Sequence, residues 1–390
     1  MRISRRDFLK VLAAAAGAGV AGSSHWMRQA LSGRAQDLET QLYLPLLKKA
    51  KTSIPKPPEI TGRVTHVHSQ DATFWNTSDH KFWNYVNQQV VDAMIDQGLV
   101  ALTGQSSVKG AWNTLLPDYQ VGQKIAVKVN FNNSSACNDT DHQIDALIQP
   151  VNAIVRGMKL IGVVENDIWV YDAIRRIPDR FVAGSLYGGI QYFDSGCRNW
   201  AGFNTNTYVT FNPPPGVTIP AVRITDVLVN ANYLINIPIM KGHSLTGATV
   251  AFKNHFGSIN SPSSLHDTVG LNRSSYRSDY SPFVDLYNSP HIGGKTILTV
   301  GDGLFAAKQL NHAPQTWASF GNQVPNSLYF ATDPVAADCV MFDFIDAEIN
   351  LPSASYDCLQ LAWEAGLGLY ERGDPWGSGY SLIDYHRINL

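Results

Sequence analysis

The stretch YLINIPIMKGHSLTGATVAFKNHFG, Tyr233 to Gly257, decides how the fold is read. Its apolar run Leu234 to Met240 is short and rich in isoleucine, the pattern of a buried strand. Lys241, Gly242 and His243 end that run where a strand would leave its sheet, and Ser244 or Thr246 stands where it can cap a helix. The spacing predicts that helix over Leu245 to Phe256, closed by Gly257. A strand, a glycine turn and a capped helix make half of a parallel α/β unit. Ligands of such folds sit at the carboxyl ends of strands, beside helix N-termini that favour anions. Here that end carries Lys241, Lys253, His243, His255 and Asn254.

Outward from this stretch, strands and helices alternate. Arg63 to Ser69 reads as a first strand, and the four-residue recurrence Phe82, Val86, Val90, Met94 as a buried helix stripe within His80 to Gly98. In Lys124 to Asn132, Ile125, Val127, Val129 and Phe131 alternate with Lys128, Asn130 and Asn132, which predicts a strand with its polar set on one face. That polar face fits either a half-solvated strand or a binding site. Ile144 to Met158 carries one apolar helical stripe, Asp167 to Tyr171 reads as a strand and Asp172 to Phe181 as a helix. Gly184 to Val222, with its Pro213-Pro214-Pro215 run, suits loops and short β segments of an insertion. The serine-rich segment after Gly257, up to Gly294, has the character of a lid or mobile loop. Lys295 to Val300 should form a strand ending at Gly301-Asp302-Gly303. Ser327 to Ala331 should form another, followed by a helix capped by Asp333 or Thr332 with Pro334 at its first position. A last helix is expected near Tyr356 to Ala365. The fold class is α/β, a mainly parallel or mixed sheet flanked by helices with a loop-rich insertion.

At 390 residues, 44% hydrophobic and 16% charged, the chain can bury a large core. A net charge of −2 argues against a nucleic-acid binder. Ser4-Arg5-Arg6-Asp7-Phe8-Leu9-Lys10 matches the twin-arginine export motif and precedes a weakly hydrophobic stretch, Val11 to Gly22. That stretch is short of the roughly 20 residues a membrane span needs, so no permanent span is expected. These features divide the chain into a signal peptide, 1–35, a linker, 36–62, and one α/β domain, 63–390. The expected partners are the twin-arginine export machinery and an anionic small molecule, and the expected location is the periplasm or another space outside the cytoplasmic membrane. That pathway carries folded proteins, often with a cofactor, whose identity the sequence leaves unknown. Cys137, Cys197, Cys339 and Cys358 form no close pair of the kind that holds zinc or an iron–sulfur cluster. Cys339 and Cys358, on neighbouring expected helices, could pair, and buried free thiols are the alternative.

The residues LINIPIMKGHSLTGATVAFKNHFG, with VKVNFN at 127–132, LTVGDGLFA at 298–306, ATDPVAADCV at 331–340 and LAWEAGLG at 361–368, resemble the Domain of Unknown Function 362 family. The resemblance spans roughly Arg63 to Leu369. Val129 stands where the family's turn carries proline, and the ferredoxin-like cysteine clusters of some relatives have no counterpart. The resemblance implies the strand–turn unit and the place of a site, and no particular reaction.

The chemistry expected at that place follows from residue types. Lys241, Lys253 and a helix N-terminus would attract a phosphate or carboxylate, with Lys128, Asn130, Ser244, Asn254 and Asp302 as further ligand-binding candidates. His243 and Lys253 are the catalytic candidates, since a histidine or a desolvated lysine can move a proton. Each has a plainer reading: a solvated helix lysine, a strand-end cap, a turn aspartate, a packed histidine. A metal held by His243, His255, His266 and Asp302 matches no standard spacing, and none is assigned. An enzyme acting on an anionic molecule or cofactor and a non-catalytic ligand-binding or maturation protein both remain open.

Overall fold

A computed structural model describes residues 62–132 and 134–390. The expected signal peptide, and the linker apart from its last residue, lie outside the described residues. Thirteen strands are described: β1 (Arg63–His68), β2 (Ile125–Lys128), β3 (Ile168–Tyr171), β4 (Gln191–Asp194), β5 (Asn199–Trp200), β6 (Phe203–Tyr208), β7 (Arg223–Thr225), β8 (Tyr233–Asn236), β9 (Ile239–His243), β10 (Gly247–Thr249), β11 (Thr296–Ala307), β12 (Ser327–Ala331) and β13 (Asp384–Asn389). Eleven of them build one sheet, ordered β13-β1-β12-β11-β8-β2-β3-β4-β5, with β9 on β11 and β10 on β9. β12 runs antiparallel to both its neighbours and β10 to β9; the other pairs are parallel. The α/β class read from the alternation of elements is therefore the architecture found.

Both faces of the sheet are covered. Ile125 and Val127 of β2 point to one apolar cluster with α1 (Gln88–Thr103) and α2 (Ile148–Lys159), while Ala126 points to a second. That second cluster includes Phe252 of the short helix α3 (Ala251–Asn254), and Val340 and Phe344 of α4 (Pro334–Ile349). Alternation along β2 thus marks two buried faces, and Lys128 is buried with the rest of its strand. Asp333 caps α4 as expected, its side chain accepting from Val335 and Ala336 N–H, with Pro334 in the first turn.

Several boundaries differ from the sequence reading. Leu234 to Met240 is not one strand: Pro238 lacks an N–H and separates β8 from β9, both parallel neighbours of β11. The helix expected over Leu245 to Phe256 is instead the β9–β10 hairpin followed by the one-turn α3. Gly247 adopts φ +77° at the turn, and the β-branched Thr246, Thr249 and Val250 disfavour helix. Neither Ser244 nor Thr246 caps α3. Asp338 of α4 does so across the core, accepting from Ala251 N–H at 2.7 Å and Phe252 N–H at 3.1 Å. Strand β11 runs through Gly301-Asp302-Gly303 rather than ending there, because these residues go on pairing with Tyr329, Leu328 and Ser327 of β12, and Met341 and Met240 occupy the space side chains at the two glycines would need.

Most of Asp172 to Phe181 is irregular, with one short helix at Asp179–Ala183. The lid-like segment is ordered by short helices at Pro262–Leu265, His266–Val269 and Pro282–Tyr287, with Leu265, Phe283 and Leu286 buried. The glycine-rich tail contributes β13 at the sheet edge, which sequence reading missed. Cys137 and Cys197 form a disulfide, and Cys339 and Cys358 are free thiols. The expected pairing of the latter two is corrected: Cys339 is fully buried in the α4 packing, whereas the loops carrying Cys137 and Cys197 meet at a Cα–Cα distance of 5.5 Å. No helix among the described residues is long and apolar enough to cross a membrane.

Candidate functional site

β2 has β3 on one side and β8 on the other, so the chain order reverses there and the strand ends leave a crevice. A cavity of about 240 Å³ occupies this crevice. β2 supplies Lys128 from its last position, beside Asn236 of β8. Its amine donates to Asp172 Oδ2 and to Asn254 Oδ1, both at 3.2 Å, and to the Val129 carbonyl. Asn254 is held in turn by its own side-chain N–H, which donates to Asn236 Oδ1 at 2.7 Å. Asp172, just past the end of β3, also accepts from Phe131 N–H at 3.2 Å. Gly257 closes this group from below: a Cβ there would stand 2.5 Å from Lys128 Nζ.

Lys241 enters from β9 and donates to Asn132 Oδ1. Asn132 is fixed by its backbone N–H, which donates to Asp145 at 2.8 Å, and by its side-chain N–H, which donates to Asn311 at 3.0 Å. Lys253, from α3, lies with its amine 4.6 Å from the centre of the Phe256 ring. It has no carboxylate within ion-pair distance among the described residues. Lys128, Lys241 and Lys253 are all at most 9% exposed. Arg175 also lines the cavity, and the one carboxylate among the lining side chains is that of Asp172.

Burial sets the proton affinities. It pulls Lys241 down to about 7, with Asp145 only partly offsetting it. Burial, reinforced by the charge of Lys241, brings Lys253 to about 7 as well. Burial also lowers Lys128, opposed by its contact with Asp172. Burial, together with Lys253 and Lys241, pushes His243 down to about 2. Its Nδ1 accepts the Leu245 N–H at 3.1 Å, so the neutral ring carries its proton on Nε2. His243 is therefore a neutral hydrogen-bond donor rather than a ready base. His266 lies near 4, chiefly by burial.

Of the residues expected from sequence, Lys128, Asn130, Lys241, His243, Lys253 and Asn254 meet at this one cavity. Ser244 does not; it is exposed at the hairpin tip and lines the adjoining cleft. Asp302 is buried within β11, where it accepts from Leu304 N–H at 3.1 Å and burial raises it to about 7. It lies outside the cavity lining. His255 is buried against Tyr287, so it and Asp302 do not join His243 and His266 around one point. The acidic cluster Asp139, Asp141 and Asp145 was not anticipated as a metal-capable group; Arg180 pairs with Asp145 at 2.7 Å. Asp172 and Arg175 were missed as site residues, and Asn132 was named only as part of the polar face of the expected strand. The signal for the first two was available, since Asp172 directly follows the expected strand ending at Tyr171 and Arg175 lies three residues further on.

The family model described as Domain of unknown function (DUF362) matches residues 125–343, more than half of the chain and every lysine of this cavity. No curated protein matches the sequence.

Proposed function

The chain belongs to the DUF362 family, and from that premise we propose that it is an enzyme, exported in the folded state, that binds an anionic small molecule or cofactor in the β2–β8 crevice. The observation that carries the reading is the convergence of three buried lysines and Arg175 on a cavity with one lining carboxylate. Burial brings Lys241 and Lys253 to about 7, and an anion arriving beside them favours their charged forms, so the cluster suits an anionic ligand. Lys241 and Lys253 meet the anionic group, and His243 donates a neutral hydrogen bond from Nε2. Lys253, near pH 7, can give or take a proton, and a cofactor of unknown identity would occupy the same crevice. The Cys137–Cys197 disulfide supports a place outside the cytoplasm, as does the twin-arginine motif at Ser4 to Lys10, whose machinery would be the partner in export. The second reading, a ligand-binding or maturation protein without turnover, is favoured by one observation: His243 is held neutral and cannot serve readily as a base.

Calorimetric titration with inorganic phosphate tests the binding half. The wild-type chain should bind, Lys253→Met should weaken binding by about tenfold or more, and Lys253→Arg should restore most of it. A chain that ignores phosphate, or a Met variant that binds like wild type, refutes the site. The enzyme half is read from the NMR titration of 13C-methylated lysines. A Lys253 midpoint near 7 supports proton transfer, and one in the ordinary lysine range leaves only the binding reading.

A further inference from the structure

A second space adjoins the anion cavity. His243, Leu310 and Asn311 line the cavity and also line a second, larger cleft of about 1040 Å³, so the two spaces adjoin at His243. Their chemistry differs. The inner space is cationic, whereas the outer cleft offers Leu271, Ile349 and Leu351 among polar side chains. Its lining charges cancel: Lys308 pairs with Glu348 at 2.6 Å, and Glu348 also accepts from Ser319 N–H at 2.9 Å and Ala318 N–H at 3.0 Å. The surplus charge is therefore confined to the small end of a two-part site.

We propose that the ligand is a phosphate ester whose dianionic head fills the inner cavity and whose uncharged, partly apolar body lies in the cleft between the β9–β10 hairpin and the end of α4. The proposal rests on the anion-binding reading above and adds the class of molecule. A phosphate dianion fits better than a single carboxylate, because it can engage several of Lys128, Lys241, Lys253 and Arg175 at once. A second charged group on the body would find only a closed ion pair in the cleft and would lose hydration for no partner.

Calorimetry on the full chain with three probes tests this: inorganic phosphate, n-hexyl phosphate and n-hexanol. Hexyl phosphate should bind about tenfold or more tightly than phosphate, as burial of several methylenes predicts, and hexanol should not bind measurably. Asn272→Trp, at an exposed position of the cleft, should remove the advantage of the hexyl chain while leaving phosphate affinity unchanged. Leu351→Ala should reduce that advantage without blocking the cleft. Equal affinity for phosphate and hexyl phosphate would overturn the two-part ligand and leave the anion site standing. Failure of phosphate itself would overturn both.

Discussion

Gly257 carries more of the site than its place at the end of a helix-like run suggests. It is not a left-handed helix terminator; its missing side chain makes room for the Lys128 amine and the Asp172 carboxylate, whose nearest atoms would lie 2.5 and 2.9 Å from a Cβ. Its carbonyl accepts from Ala173 N–H at 2.9 Å, so the backbone has little freedom to retreat. Gly257→Ala should cost about 1–3 kcal/mol of stability by overpacking and should also lower phosphate affinity several-fold by displacing Lys128. Thermal unfolding and calorimetry on the same preparation check both, and an alanine variant matching wild type in each would remove Lys128 from the site. Lys241 and His243 were found from their residue types at a strand end. The protonation of His243 was not legible, because it depends first on burial, then on the charges of Lys253 and Lys241, and on the Leu245 N–H that its Nδ1 accepts.

Among elements, the hairpin and two loops matter more than the helix once expected after β9. The hairpin lets Lys241 and Lys253 approach one cavity from β9 and α3, although Gly242 must pass so close to the Lys308 carbonyl that a Cβ there would sit 2.1 Å away. The loop after β2 brings Asn132 to Lys241, and the loop after β3 brings Arg175 to the rim. These loops are tied to each other and to the β4–β5 turn. Arg176 N–H donates to the Ser134 carbonyl at 3.2 Å, Ser195 N–H donates to the Arg175 carbonyl at 3.1 Å, and the Cys137–Cys197 bond joins the first loop to the turn. A Cys137→Ser/Cys197→Ser double variant should lose about 2–4 kcal/mol of stability. Its phosphate affinity should fall several-fold as Asn132 and Arg175 gain freedom. A stability loss with unchanged affinity would show that the staple serves folding alone.

Across the whole molecule, the alternation of apolar runs with helical stripes was enough to read the α/β class, because period and length survive without tertiary information. Strand order was not legible, since it depends on which buried strands meet: β11 reaches β8, β9 and β12, and the tail returns as β13 beside β1. The site was legible in part for the same reason. Lys241 marks the end of an apolar run and Lys128 the polar face of an expected strand, both visible in sequence, whereas their convergence on the crevice between β8 and β2 follows from sheet order. The central claim is that this crevice holds lysines whose charge is completed by a bound dianion. It is tested most directly by the proton balance of phosphate binding, measured calorimetrically at pH 8 in two buffers of different ionisation enthalpy. Lys241 and Lys253, lowered to about 7, are largely neutral there in the free protein. An arriving dianion favours their charged forms, so binding should take up roughly one proton per phosphate, and affinity should fall as pH rises from 7 to 9. Lys253→Met should reduce the uptake. Binding with no proton uptake and the same affinity across that range would contradict the account.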